Sequence, residues 1–486
     1  MAAWPIPART SSVRAKRSTP PRRRCWISSA ASFESGLRTV SWISGVGGVS
    51  PVECVERLLR PGGLFLNHGI VDLDRGVASS PSAAMAQAVC RRPDSPARSS
   101  HGPAMTRSVD IAGAGPAGLA AAIAVAERGG RACLLERRSS VGLRFHGDFQ
   151  GLENWSIERD VLEELHGMGI RPTFDHTPFY ECVVYDPDGG EHLCRATRPI
   201  WYLVRRGSDE GTLDRSLERQ AVASGVTIEY GHVVERLPEG GIVAHGPRRV
   251  DAIAVGYVFE TDRADGAFAA VSDAVAPGGY AYLLICGGRA TIATCMFDDF
   301  HNDKLYLERT VEFFRTRVGI TLENERKFGG FGNMSPTPTL RRNALLFAGE
   351  AAGLQDALFG FGMRCAMVSG HLAGKAYVGG DLGQYEVACR ERLLGLVRSA
   401  TVNRYLYGRG GDRGYRALVE GMCEGDAGVW LRRRYHGGWW TPLLHPLARR
   451  AAAHRERRIL AEECREGCDC TWCRCVKETA ELERAR

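Results

Sequence analysis

The residues best suited to chemistry form a glycine-rich motif, Gly113-Ala114-Gly115-Pro116-Ala117-Gly118. It follows a predicted strand, Ser108–Ala112, and opens a predicted helix, which is the context of a dinucleotide-binding turn. Gly113 permits the tight turn, Gly115 lets a pyrophosphate approach the backbone at the helix N-terminus, and Gly118 permits close helix–strand packing. The motif therefore predicts a dinucleotide site.

An acidic residue, Glu136, follows eighteen residues after Gly118, at the end of a second predicted strand, Ala132–Leu135. A carboxylate at this position accepts hydrogen bonds from the adenosine ribose hydroxyls and disfavours a 2′-phosphate. Strand, helix Pro116–Arg128 and second strand make a βαβ unit that favours FAD or NAD over NADP.

A second glycine-rich region distinguishes between these two cofactors. A predicted buried strand, Ala344–Ala348, ends in Gly349-Glu350, and Gly360-Phe361-Gly362-Met363 then opens a predicted helix, Met363–Gly370. Here the sequence resembles the para-hydroxybenzoate hydroxylase-like superfamily of FAD-dependent enzymes and, within it, the geranylgeranyl reductase family. The resemblance implies that Glu350, in place of the usual Asp, binds the flavin ribityl chain. It also implies that Gly360, Gly362 and Met363 bring backbone amides to the isoalloxazine.

Other segments extend the resemblance over residues 107–400 and imply further site residues. The strand Trp201–Arg206 precedes an LDxxL helix at 213–217, which implies that Arg206 approaches the flavin phosphates, although Arg205 competes for this role. Val234 matches a residue that contacts the adenine through its backbone. Arg144 matches a family arginine, and His146 stands in a turn beside the ring where the family has cysteine. The imidazole of His146 is suited to proton delivery. A structural role for this residue stays open.

The resemblance implies an FAD-dependent oxidoreductase that reduces C=C bonds of an isoprenoid or lipid substrate, with NAD(P)H or ferredoxin as electron donor. Tyr280 and Tyr282 lie on the predicted substrate side, where Tyr282 replaces a family tryptophan. The expected partners are a small-molecule or lipid substrate and an electron-donor protein. Two alternatives stay open: an FAD-dependent monooxygenase that hydroxylates its substrate, and a flavoprotein electron-transfer partner with a metal-binding tail.

The C-terminal tail contains five cysteines within twelve residues: Cys464, Cys468, Cys470, Cys473 and Cys475. Such a density is too high for core packing, and four thiolates suffice for Zn²⁺ or an iron–sulfur centre. Redox-active or disulfide-forming thiols and an inert tail are the alternatives. Elsewhere, the absence of a secretory signal pattern favours reduced thiols and a cytoplasmic protein.

These residues require an α/β architecture: a Rossmann-like FAD-binding domain with a β-rich substrate domain and a helical C-terminal region. The FAD domain is expected at about 105–171, 206–245 and 330–400, and the substrate domain at about 172–205 and 246–329. A helical basic region at 401–460 and the Cys-rich tail at 461–486 follow. Residues 1–104 are predicted to be a poorly structured extension, and its segment 51–73 resembles methyltransferases of the cyclopropane fatty-acid synthase type.

Composition and charge exclude several classes of protein. The 486 residues are 44% hydrophobic and 24% charged, which excludes a wholly disordered chain or a small disulfide scaffold. No run reaches about 18 apolar residues, so a spanning helix is not expected. Residues 1–33 and 431–460 each carry +7, so the net +7 leaves −7 for the remainder. This charge distribution argues against a nucleic-acid partner.

The tryptophans and arginines of 430–458 predict peripheral membrane association.

Overall fold

The strand–helix–strand unit predicted around Gly113 is present in the structure, a computed structural model that describes residues 107–234, 236–247, 249–460 and 468–474. β1 (Ser108–Ala112) pairs in parallel with β2 (Arg131–Glu136), and α1 (Pro116–Ala126) connects them. Pro116 stands at the start of α1, where its missing N–H leaves no bond unmade.

The chain divides into two units, Met1–Ala97 and Arg98–Arg486, and all described residues belong to the second. The predictions for residues 1–104, including the methyltransferase-like segment 51–73, lie outside the described residues.

Further strands follow in the described part of the chain: β3 (Phe149–Glu153), β4 (His176–Phe179), β5 (Glu181–Tyr185), β6 (Glu191–Arg195), β7 (Trp201–Arg205), β8 (Thr227–Tyr230), β9 (Gly241–Val243), β10 (Ala252–Glu260), β11 (Gly266–Ala270), β12 (Tyr280–Cys286), β13 (Arg289–Met296), β14 (Glu323–Gly332), β15 (Arg341–Arg342) and β16 (Leu345–Phe347). The helices are α2 (Val161–Gly167), α3 (Leu213–Ala223), α4 (Asp303–Val318), α5 (Met363–Gly379), α6 (Gly383–Cys389), α7 (Gly395–Cys423), α8 (Ala427–His436) and α9 (Thr441–Leu460). α5 extends nine residues beyond the predicted end at Gly370.

The first sheet has six strands in the order β15-β16-β9-β1-β2-β8. All its pairs are parallel except β15 with β16. The carboxyl ends of β1, β2 and β16 therefore meet at one edge, which is where an open α/β sheet binds its ligand. This arrangement brings the motifs at 113–118 and 349–363 together.

Small residues let α1 and α5 approach each other closely over this sheet. A Cβ at Gly370 would lie 2.0 Å from the carbonyl oxygen of Ala117, and a Cβ at Gly374 would lie 2.3 Å from that of Ala121. α1 is apolar around its whole circumference because it is buried between the sheet and α5. The alanine-rich composition of α1 thus reflects packing on two sides.

The second sheet has seven strands in the order β14-β10-β13-β12-β11-β5-β6. Its pairs are antiparallel except β11 with β5. Side chains of β12 alternate between the two faces: Ala281 and Leu283 belong to the core that the sheet shares with α4, whereas Tyr280, Tyr282 and Leu284 line a cavity on the opposite face. This sheet is the wall that separates a hydrophobic core from the ligand cavity.

A third sheet, β3-β7-β4, and the C-terminal helices complete the described fold. α8 begins at Asp426, which accepts a hydrogen bond from the Val429 amide at 2.8 Å and another from the Thr197 amide at 2.8 Å. A disulfide joins Cys194 on β6 to Cys423 at the end of α7. The expectation that the scattered cysteines are reduced is therefore wrong for this pair. The sequence separation of 229 between the two cysteines means that their proximity could not be predicted from the sequence.

Among the described residues, no helix combines the length and the apolarity needed to cross a membrane.

Candidate functional site

One cavity of about 760 Å³ collects the predicted cofactor and substrate residues. Those that line it are Gly113, Gly115, Ala117, Glu136, Arg144, His146, Arg206, Val234, Tyr280, Tyr282, Glu350, Gly360, Gly362 and Met363. Gly118 does not line the cavity: a Cβ there would lie 1.9 Å from the carbonyl oxygen of Gly113. Gly118 therefore serves helix–turn packing, the role given to it above.

The glycine turn presents backbone to one end of the cavity. Gly113 adopts a φ of 103° and is pressed against Ala244, whose carbonyl oxygen would lie 2.8 Å from an added Cβ, so only glycine suits this position. A Cβ on Gly115, by contrast, would meet no protein atom within 4 Å. α1 begins here without a side-chain cap, and the positive end of its dipole favours an anion. A pyrophosphate fits this open backbone.

Glu136 ties the glycine turn to the end of β2. Its carboxylate accepts one hydrogen bond from the Ala114 amide at 2.8 Å and another from the Arg138 amide at 2.9 Å. A carboxylate oxygen has more than one lone pair, so these bonds leave acceptor capacity for ligand hydroxyls. Because the carboxylate is anchored at both oxygens, it is oriented before a ribose arrives.

Arg144 and Glu350, 206 residues apart, form an ion pair of 2.6 Å on the cavity wall. The Arg144 guanidinium also donates to the carbonyl of Phe331 at the end of β14. The pair connects the loop after β2 to the loop after β16, the two loops that frame the predicted flavin position. Both side chains are partly exposed, so a ligand can reach them.

Arg206 is buried and bound on both sides. Two of its nitrogens each donate to an Asp214 carboxylate oxygen at 2.8 Å, and its guanidinium lies 3.9 Å from the centroid of the Phe145 ring. Asp214, the aspartate of the LDxxL helix, therefore holds Arg206 in place through a bidentate pair. Arg205 instead pairs with Asp175 at 2.6 Å and does not line this cavity. Of the two arginines, Arg206 therefore lines the cavity and Arg205 does not.

The far part of the cavity is apolar and aromatic. Trp155 packs edge-on against Phe361, with ring centroids 4.6 Å apart, and Trp201 lies beside both. Side chains of β11, β12 and the C-terminal helices complete this part: Ala267, Ala269, Val271, Leu284, Leu418, Met422, Ala427 and Leu431. We call these eight residues, with Trp155, Trp201 and Phe361, the apolar arm.

The two predicted substrate-side tyrosines and His146 differ in environment. The Tyr280 hydroxyl donates to the carbonyl of Phe359 at 2.5 Å, so this ring is fixed next to the Gly360 turn. Burial raises the pKa of Tyr282 well above 10. His146 is exposed at the cavity rim, where its ring stacks near Phe328 with a centroid distance of 6.4 Å.

Beneath the cavity lies a network of buried charges. Arg364, 1% exposed at its side chain, donates to both carboxylate oxygens of Glu164 at 2.6 and 2.9 Å, and Arg392 adds a bond of 2.7 Å. These cations hold the pKa of Glu164 below its usual value although burial opposes them. Near them, burial raises the pKa of Glu153 to about 7, and its Oε2 has no hydrogen-bond partner among the described residues.

Comparison with known proteins agrees with this geometry. No protein-family model matches the sequence. The chain is 22% identical over 377 residues to the digeranylgeranylglycerophospholipid reductase of Methanocaldococcus jannaschii, which covers 67% of this chain and 93% of that protein. The resemblance to the geranylgeranyl reductase family is confirmed.

Solved structures of this flavoprotein type show the same fold. A geranylgeranyl bacteriochlorophyll reductase-like protein from Thermoplasma acidophilum has a TM-score of 0.54 at 17% identity and covers 78% of this chain and 100% of its own. The flavin-dependent brominase Bmp2 has a TM-score of 0.50 at 15% identity and covers 72% of this chain and 100% of its own. The same overall fold thus occurs in a reductase-like protein and in a flavin-dependent brominase.

The apolar arm and the buried charges were not predicted from the sequence. Trp201 belongs to the predicted strand Trp201–Arg206, but nothing in the sequence showed that its side chain would lie near Trp155 and Phe361. The walls formed by Leu418, Met422 and Leu431 come from a region assigned only a helical, basic character. A helix-period apolar stripe over 415–431 was the available signal, and it does not reveal which surface it contacts.

Proposed function

We propose that this protein is an FAD-dependent oxidoreductase that saturates C=C bonds of a long isoprenoid or other lipid. One observation carries the proposal: the cavity that begins at the glycine turn continues without interruption into the apolar arm. A dinucleotide requires the first part and a long hydrocarbon the second. The similarity to a digeranylgeranylglycerophospholipid reductase supports the same substrate class.

The residues present fit FAD. The open backbone at Gly115 and the N-terminus of α1 accept the pyrophosphate, and Glu136 accepts the ribose hydroxyls. At the other end, Glu350 and the Gly360–Gly362 turn line the cavity and would face the flavin. Bound FAD supplies reversible two-electron transfer, and saturation of a C=C bond needs two electrons and two protons in all.

Tyr282 and His146 are assigned different roles in proton transfer. The Tyr282 hydroxyl retains its proton at neutral pH because burial raises the pKa of this group well above 10; it can donate a hydrogen bond but not release the proton. We assign proton delivery to the His146 imidazole, which is exposed at the cavity rim. The aromatic side chains of the apolar arm exclude water from the reacting bond.

A variant that fills the apolar arm tests the substrate class. Leu431 is 4% exposed and lines the arm, so Leu431→Trp should leave flavin binding unchanged and reduce turnover of long lipids. Leu193→Trp is the matched control, because Leu193 is 41% exposed and lies outside the cavity. Equal turnover in both variants would show that the substrate does not enter this arm.

The reaction itself is tested under anaerobic conditions. The purified flavoprotein is reduced with NADH, NADPH or a reduced ferredoxin and mixed with a geranylgeranyl lipid, and mass spectrometry follows the gain of two hydrogen atoms per double bond. Saturated product supports the proposal. NAD(P)H consumption with O₂ uptake, stimulated by an aromatic acid and without lipid saturation, would instead identify a monooxygenase. Flavin that exchanges electrons with a partner but converts neither substrate would identify an electron-transfer protein.

A patch on the C-terminal helices supports delivery of such a substrate from a membrane surface. Trp439 is 82% exposed and Leu443 is 62% exposed, and Arg433, Arg449 and Arg450 are exposed in the same helical region. Indole rings favour the headgroup zone, and arginines favour anionic lipid. We therefore propose peripheral membrane association through this patch.

The basic charge available to the patch is smaller than the sequence indicated. Arg455 points inward and donates to the carbonyls of Phe297 at 3.0 Å and Asp251 at 3.2 Å. Arg458 pairs with Asp298 at 2.6 Å. Arg455 therefore does not contribute its charge to the patch, because a long side chain on an amphipathic helix can pack along the core.

A further inference from the structure

The described part of the cysteine tail lies against the start of α4. The Thr471 amide donates to Asp303 at 2.8 Å, and Lys304 pairs with Asp469 at 2.8 Å. Trp472 is 4% exposed and stacks on Phe300, with ring centroids 6.4 Å apart. The segment 468–474 is thereby part of the core that α4 shares with the seven-stranded sheet, so the expectation that the tail cysteines do not pack in a core is wrong for Cys470 and Cys473.

This packing places His301 next to three of the tail cysteines. In the sequence, His301 is 169 residues from Cys470. Nδ1 of His301 lies 3.6 Å from Sγ of Cys470 and 3.7 Å from Sγ of Cys473. With Cys468, the four ligand atoms all lie within 4.8 Å of one another. Cys464 and Cys475, which the sequence analysis also named, lie outside the described residues.

From these distances we propose a tetrahedral Zn²⁺ site formed by His301, Cys468, Cys470 and Cys473. Zinc–sulfur and zinc–nitrogen bonds of about 2.3 and 2.0–2.1 Å at a tetrahedral angle place sulfur and nitrogen about 3.6 Å apart. The two measured N···S distances agree with that edge. An iron–sulfur cluster spreads its four ligands over separate iron atoms, which a group this tight does not allow.

A hydrogen bond within the tail holds one of the proposed ligands in place. The amide of Cys473 donates to Sγ of Cys470 at 3.4 Å, and such outer contacts orient a metal ligand and compensate its charge. Protein ligands fill all four coordination positions of the proposed site, which is typical of a structural zinc site. Its function is then to hold the tail against β14, where Thr471 contacts Gly329 on the wall of the flavin cavity.

The site depends on the oxidation state of the tail. Cys473 is disulfide-bonded in this structure, and a disulfide sulfur is not a thiolate ligand. A dithiol reductant transfers two electrons and two protons to the S–S bond, giving two thiols and its own cyclic disulfide. Zn²⁺ then displaces the thiol protons as it binds. Zinc loading is therefore confined to the reduced protein and is independent of the flavin reaction.

The test measures metal in the full-length protein. Chains reduced with excess dithiol, loaded with Zn²⁺ and desalted should contain one zinc per chain by elemental analysis, whereas untreated oxidised chains should bind none. Co²⁺ in place of zinc should give the absorption bands of tetrahedral cobalt with thiolate ligands. Zinc-free reduced wild type, or iron with acid-labile sulfide in the purified protein, would overturn the proposal.

Ligand variants locate the site. His301→Ala and Cys470→Ser should weaken zinc binding by about 100-fold or more, since loss of an outer-shell partner alone costs about 10–100-fold. His166→Ala and Cys133→Ser are matched controls outside the cluster and should retain one zinc per chain. Circular dichroism confirms that each variant is folded. Full zinc content in His301→Ala would show that the tail cysteines bind zinc by themselves and would refute the site as proposed.

Discussion

The buried carboxyl of Glu153 should make the protein less stable as the pH rises. Burial raises its pKa from the ordinary 4.5 to about 7, and the nearby Arg364 compensates only in part. Below pH 4.5 the carboxyl is protonated in both the folded and the unfolded chain. Between pH 4.5 and about 7 the unfolded chain releases this proton and the folded protein retains it, so the free energy of unfolding decreases. Above about pH 7 the loss is complete.

The size of the effect follows from the same values. A change of one pKa unit corresponds to about 1.4 kcal/mol, so a rise from 4.5 to about 7 amounts to about 3 kcal/mol. Glu153→Gln keeps the shape of the side chain and removes the titration. The variant should therefore gain about 3 kcal/mol over the wild type at pH 8 and almost nothing at pH 4.5.

The assay is guanidinium unfolding followed by tryptophan fluorescence from pH 4.5 to 8, with wild type and variant compared at each pH so that other titrating groups cancel. Glu163→Gln is the matched control, because Glu163 is exposed on α2, in the same part of the fold. This control should give no pH-dependent difference. A difference between Glu153→Gln and wild type that stays constant across the whole range would refute the reasoning, because it would mean that Glu153 titrates normally.

The remaining predictions concern cofactor and membrane. Gly115→Val should abolish flavin binding because its methyl groups enter the open pyrophosphate space, whereas Gly379→Val, also in open space, should retain it; flavin absorbance after gel filtration decides between them. Deletion of residues 1–104 should leave flavin binding intact, and loss of the yellow colour on deletion would contradict this. Wild type should co-sediment with anionic vesicles at low salt, and Trp439→Ser with Leu443→Ser should prevent it; a wild type that stays in the supernatant would exclude the membrane patch.

The parts of the fold that the sequence predicted well are those with local determinants. The bounds of β1 were predicted to the residue, and the start of α1 at Pro116 was also correct. The later helix at Met363 began as predicted but continued to Gly379, since glycine at 370 serves packing against Ala117 rather than termination. Propensity alone does not separate these two roles of glycine in a helix.

The site was predictable as a set of cofactor-facing residues but not as a network. That Arg144 binds Glu350, that Asp214 holds Arg206, and that one cavity joins the glycine turn to the apolar arm all depend on loops that meet only in the folded chain. The orientation of Arg455 toward the protein is a further example: the spacing of arginines along α9 indicates an amphipathic helix but not which side chains reach the core.

The sequence by itself determined the βαβ dinucleotide unit, because a tight turn, a phosphate-binding helix start and a ribose-binding acid each require particular residues at short, constant spacings. Only the tertiary structure decided which distant residues meet: Cys194 with Cys423, and His301 with Cys470 and Cys473. The physical reason is that such contacts depend on how sheets and helices pack, which is a property of the whole chain, while a motif depends on the geometry of a few consecutive residues.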